Sequence, residues 1–93
     1  MSETTRVVYD KRFQKQLKKT PRDIQEKVQL WIYQLQLEGV RKTRTKKGYH
    51  DEPLQGDRWG QRSIRLNRSY RLIYEEIEDH VYIRLLEVHK HDY

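Results

Sequence analysis

Cysteine is absent from this 93-residue chain, which removes disulfides, thiol nucleophiles and cysteine-based zinc sites from consideration. Hydrophobic residues are scarce, at 34%, and no stretch approaches the ~20 apolar residues that cross a bilayer, so no membrane partner is expected. The opening "MSETTRVVYDKRF" lacks the apolar segment of a signal peptide, which makes the cytoplasm the expected compartment. Proline occurs twice and glycine four times, too seldom for a linker or low-complexity tract, and there are no internal repeats. One small domain over residues 1–93 is expected. Its core must be thin, because a short chain buries a modest share of its surface.

Positive charge is what the chain has in excess. Lysine and arginine total 20 against 14 acidic residues, a formal net charge of +6. That balance favours a polyanionic partner such as nucleic acid.

Periodicity divides the chain into elements. "RVVY" at 6–9 reads as a strand. Asp10 stands where a helix cap would be, ahead of Phe13 and Leu17 on one helical face. Thr20-Pro21 offers a cap and a first-turn proline for a second helix. Ile24, Val28, Trp31 and Leu35 step by four, three and four along it, one apolar stripe, and Gly39 is its expected stop. Residues 40–61 are polar, basic and punctuated by glycine; the expectation is a loop with at most one short turn. Alternating runs at 62–66, 70–76 and 81–88, separated by "NRS" and "EDH", predict an antiparallel meander. The order β-α-α-β-β-β describes an α+β fold, with two N-terminal helices packed on a small antiparallel sheet and strand one beside the meander.

The face away from the helices would carry the chemistry. Alternation puts Ile64 and Leu66 on one side and Arg65 on the other, and likewise opposes Leu72 and Tyr74 to Arg71. Arg65 and Arg71 sit on neighbouring strands, and paired guanidiniums suit phosphate. Glu52 precedes the sheet, and the last strand leads to His89, Lys90, His91 and Tyr93. A carboxylate, two arginines, a histidine and an aromatic make a workable metal-free ribonuclease site. RNA brings its own nucleophile, and the protein needs a base, an acid and cations on the phosphorane. An aromatic such as Tyr93 can stack on a base. Each element also has a plainer use. Surface arginines protect sheet edges, a charge run such as Arg41–Lys47 is a solvated loop as readily as a phosphate-tracking patch, and the tail histidines lack a third metal ligand at good spacing. Trp31 reads as core, Trp59 as either a lid or a stacking ring, and His50 and His80 as exposed loop residues.

The stretch "DEPLQGDRWGQRSIRLNRSYRLIYEEI" at 51–77, with "VHKHDY" at 88–93, resembles the RelE/ParE toxin superfamily in its messenger-RNA-cleaving branch, with YafQ-like and YoeB-like features. The resemblance implies a RelE-like fold and a toxin of a type II toxin–antitoxin system, a ribosome-dependent endoribonuclease. It places Glu52 as general base, Arg71 and Arg65 on the scissile phosphate, His89 or His91 as general acid and Tyr93 orienting the base. Arg41, Lys42, Arg44, Lys46, Lys47, Arg58, Arg62, Arg68 and Lys90 would grip RNA. Implied partners are a cognate antitoxin, the ribosome with its mRNA, and operator DNA through the antitoxin complex alone, with no cofactor and no metal. The alternative within the superfamily is a ParE-like inhibitor of DNA gyrase without nuclease activity.

Overall fold

The computed structural model describes residues 5–78 and 82–90. Strand β1 (Arg6–Val8) leads into helix α1 (Lys11–Lys18), and helix α2 (Arg22–Glu38) follows. A short helix α3 (Val40–Arg44), strand β2 (Glu52–Pro53), and strands β3 (Gln61–Arg65), β4 (Tyr70–Ile77) and β5 (Tyr82–Lys90) complete the chain. The five strands form one sheet in the order β1-β5-β4-β3-β2. The meander is antiparallel, as its short turns require, but β1 runs parallel to β5, so the sheet is mixed.

The expected stripe is the core. Ile24, Val28, Trp31 and Leu35 are all buried against the sheet residues Ile64, Leu66, Leu72, Tyr74, Ile83, Leu85 and Val88. The rings of Trp31 and Tyr74 meet at 5.2 Å and 57°, a tilted contact that adds to simple burial. Phe13 on α1 is fully buried in the same cluster. Its helix begins as the sequence indicates, with Asp10 Oδ1 accepting from the Phe13 amide at 2.9 Å.

Two expectations fail for local reasons. Thr20 does not cap α2. Its hydroxyl donates back to the Leu17 carbonyl at 2.6 Å, closing the end of α1, and Pro21 takes the cap position of α2. The segment 40–61 is not a loop with one turn. It holds α3, two 3-10 turns (Lys47–Tyr49 and Gly56–Arg58) and the edge strand β2. Gly39, at φ 86°, lets α2 end and α3 start at once, its amide bonded to the Leu35 carbonyl at 2.8 Å. Thr43 then donates to the Gly39 carbonyl at 2.8 Å, and Tyr49 donates to Gln34 Oε1 at 2.5 Å. The segment is thus stitched to α2 by polar side chains, which no hydrophobic period announces.

Strand β5 carries one irregularity. Ile73 pairs with Glu87 and Tyr74 with Leu85, so Leu86 is an extra residue, a β-bulge. Ile83 and Leu85 point into the core before it and Val88 after it. The shift of one residue sends Glu87 and His89 to the open face, where unbroken alternation from Leu85 would have buried them. Beyond the end of β1 no strand among the described residues pairs with the outer edge of β5. There Gln16 of α1 accepts from the Val88 amide at 3.0 Å, which satisfies that donor and fixes the strand beside His89.

Candidate functional site

Cross-strand register orders the open face into rows. One row runs Glu52, Ser63, Ile73, Glu87 across β2, β3, β4 and β5. The next runs Arg65, Arg71, His89. Directly opposed side chains stand roughly 5 Å apart at Cβ. Two guanidiniums therefore face each other with an imidazole on the far side of Arg71. Like charges opposed on a sheet are destabilising unless an anion lies between them.

A cleft of about 440 Å³ opens over these rows, lined by His50, Glu52, Arg58, Arg65, Arg71 and His89. Ser63 and Ile73 are nearly buried beneath it, at 8% and 6% exposure, and also line it. The Arg71 guanidinium is positioned by the β3–β4 turn. Asn67 Oδ1 accepts from the amides of Ser69 and Tyr70, both at 2.8 Å, and Arg71 Nη1 donates to the Asn67 carbonyl at 2.8 Å. "NRS" therefore makes an Asx turn that also holds the arginine.

The carboxylates and imidazoles form two pairs on opposite sides of the arginines. His50 Nε2 lies 3.5 Å from Glu52 Oε2, and His89 Nε2 lies 3.7 Å from Glu87 Oε1. Glu87 Oε2 also accepts from Arg58 Nη2 at 2.5 Å. Glu87 and His50 were not singled out from sequence. Glu87 could have been, since it stands two residues before His89 on the same strand face. His50 is an exposed loop residue as expected, yet its left-handed backbone, φ 46°, sets it at the rim of the cleft.

Below the sheet lies a second polar group. The Asp51 side chain is 2% exposed, bonded to Arg62 Nε at 2.6 Å and to the Tyr74 hydroxyl at 2.5 Å. Arg44 lies 3.9 Å from it and pairs with Glu76. Burial, and then the Asp51 charge, push the Tyr74 hydroxyl well above its ordinary pKa. Burial alone would lower the Arg62 guanidinium, but bonding to Asp51 outweighs it and raises the value. Burial also raises Tyr49.

The residues expected to hold RNA therefore separate. Arg58 joins the cleft. Arg41, Lys42, Lys47, Arg65, Arg68 and Lys90 are exposed. Arg44 and Arg62 are turned away from the open face and committed to Asp51 and Glu76, and Lys46 is paired with Glu38 at 3.1 Å. Trp31 is core at 1% exposure, and Trp59 is no lid, at 81%. His80, His91 and Tyr93 lie outside the described residues. Among the described residues no group of three or more His, Asp or Glu is placed to hold a metal, and no helix is long and apolar enough to cross a membrane.

The sequence matches no family model and no curated protein. Solved structures do match. The chain superposes on the E. coli DinJ–YafQ toxin–antitoxin complex with a TM-score of 0.73 and 21% identity, over 95% of this chain and 93% of that one. It superposes on the YoeB/ParE toxin from Agrobacterium tumefaciens with a TM-score of 0.73 and 18% identity, over 95% and 100%. Against the archaeal RelE–RelB complex from Pyrococcus horikoshii the TM-score is 0.72 and the identity 26%, over 94% of each chain. By its fold the chain stands with the RelE, YafQ and YoeB toxins of the RelE/ParE superfamily.

Proposed function

We propose that this protein is the toxin of a type II toxin–antitoxin pair and acts in the cytoplasm as a ribosome-dependent endoribonuclease on translated mRNA. The observation that carries this reading is the Arg65–Arg71–His89 row facing Glu52 in one cleft. Two guanidiniums in register offer forked donors that suit the non-bridging oxygens of a phosphodiester. Glu52 takes the proton from the 2′-hydroxyl, and the 2′-oxygen forms a bond to phosphorus. Arg65 and Arg71 hold the non-bridging oxygens as negative charge builds on them. His89 delivers a proton to the 5′-oxygen as its bond to phosphorus breaks. The products are a 2′,3′-cyclic phosphate and a 5′-hydroxyl. Tyr93 stacks on a flanking base, and His91 is the alternative acid. No step calls for a metal, so chelators are expected to leave cleavage unchanged.

The exposed Arg41, Lys42, Lys47, Arg68 and Lys90 would grip ribosomal RNA, in keeping with the +6 charge. A cognate antitoxin is the second partner, since relatives of this fold occur in the DinJ–YafQ and RelE–RelB complexes; operator DNA is reached through that complex. The test is to express the protein and map mRNA 5′ ends. In-frame 5′-hydroxyl ends in translated regions support the reading. Intact mRNA with a DNA-damage response overturns it in favour of gyrase inhibition.

A further inference from the structure

A second cleft, of about 520 Å³, opens on the same sheet face and is not used by the chemistry above. Tyr9, Asp10, Arg12, Arg84, Leu86 and Glu87 line it. Its volume is that of an ordinary small-ligand site. It reaches from Gln61 on β3 across β5 to the place where β1 ends and α1 begins, one row along from Glu87. Arg58 is the partition between the two clefts, with Nη1 on Gln61 Oε1 at 2.9 Å and Nη2 on Glu87 Oε2 at 2.5 Å. Glu87 thus borders the second cleft while its other oxygen faces His89 in the first.

Strand order gives the pair of clefts a direction. Glu52 stands on β2 and His89 on β5, at opposite sides of the first cleft. The proposed base must meet the 2′-hydroxyl and the proposed acid the 5′-oxygen, so RNA crosses the strands with its 3′ side toward β5. The space next reached is the second cleft. Its contents suit a nucleotide. Tyr9 is 44% exposed and its ring is braced on Phe13 at 5.5 Å, a stacking surface that is already held. Arg12 is an exposed cation at the mouth, available to a phosphate, while Arg84 beside it donates to Glu75 Oε1 at 3.1 Å. The carboxylates of Asp10 and Glu87 can accept hydrogen bonds and cannot donate them, so their free lone pairs suit the amino group of a base edge and repel a phosphate.

We infer that the Tyr9–Arg12 cleft binds the nucleotide on the 3′ side of the scissile bond, stacking its base on Tyr9 and holding the following phosphate with Arg12. This rests on the nuclease reading for its direction. The test uses ribosomes carrying mRNA with a 2′-O-methyl group at the cleavage position, which can be bound and not cut, and a matched mRNA lacking the base 3′ of it. Tyr9→Ala is expected to weaken binding of the full mRNA roughly tenfold and to leave binding of the abasic mRNA unchanged. Tyr9→Phe, which keeps the ring, is expected to bind as the native chain does, and guards against misfolding of the alanine variant. Equal losses on both mRNAs, or no loss on either, overturn the inference. Cleavage of unmodified mRNA is followed in parallel. If it is absent while the base-dependent Tyr9 effect persists, the nuclease reading falls and the nucleotide site stands.

Discussion

Asp51 and Glu52 are adjacent in the chain and lie on opposite faces of the sheet. The Asp51 side chain is 2% exposed and bonded to Arg62 and Tyr74; that of Glu52 is 56% exposed and looks across a cleft toward Arg65 and Arg71. Both faces carry acids and arginines. Under the helices Asp51, Arg62, Arg44 and Glu76 all have protein partners, because an unpaired buried charge is too costly to keep. On the open face Arg65 and Arg71 stand in register within a cleft, where their forked donors suit a phosphate. The difference teaches where to look for function in so basic a chain. Charge number says little, and placement says much.

The comparison predicts separable losses. The largest belongs to the open face. His89→Ala is expected to lower cleavage by about 10²–10⁴-fold with the melting temperature nearly unchanged, measured by timed mRNA cleavage on ribosomes beside a thermal melt. If activity survives, the acid is elsewhere, and His91→Ala becomes the decisive variant. The covered face behaves in the opposite way. Asp51→Ala strands the Arg62 guanidinium and is expected to cost about 3–5 kcal/mol, read from the urea midpoint. That is a large share of the ~5–15 kcal/mol available to a small domain.

A smaller effect sharpens the contrast. Tyr74→Phe removes one hydrogen bond to the buried carboxylate and is expected to cost about 1–3 kcal/mol. It also changes the alkaline limb. The folded Tyr74 hydroxyl titrates above its ordinary value of 10.0, so its contribution is complete below pH 10 and fades as pH rises beyond it. The native chain should therefore lose stability above pH 10 more steeply than the phenylalanine variant, in urea melts at stepped pH. Smallest of all, Glu26→Gln on the exposed Arg22–Glu26 pair, 3.7 Å apart on α2, is expected to leave both stability and cleavage within error. A measurable change there would contradict the division between the two faces.

The elements built on apolar periods were legible in the sequence. The α2 stripe and the alternation of β3 and β4 gave the core and put Arg65 and Arg71 outward. The segment 40–61 was not legible, because Asp51, Thr43 and Tyr49 fix it with polar bonds to Tyr74, Gln34 and Gln34 respectively, which lie 23, 9 and 15 residues away. Arg44 and Arg62 read as part of a basic patch for the same reason, since their acids are brought in by folding. Of the candidate site, Glu52, Arg65, Arg71 and His89 were reached from residue type and spacing. The Glu87–Arg58 bond was not, for it joins residues 29 apart.

The extra residue at Leu86 also bears on how this strand can vary. Any apolar side chain of similar size at that position leaves the pleat count intact, and even removing the residue would restore plain alternation, with Leu85 and Val88 inward and Glu87 and His89 still outward. The spacing that matters lies after the bulge: a one-codon deletion of Val88 would turn His89 toward the core and silence a protein that still had all of its reactive groups.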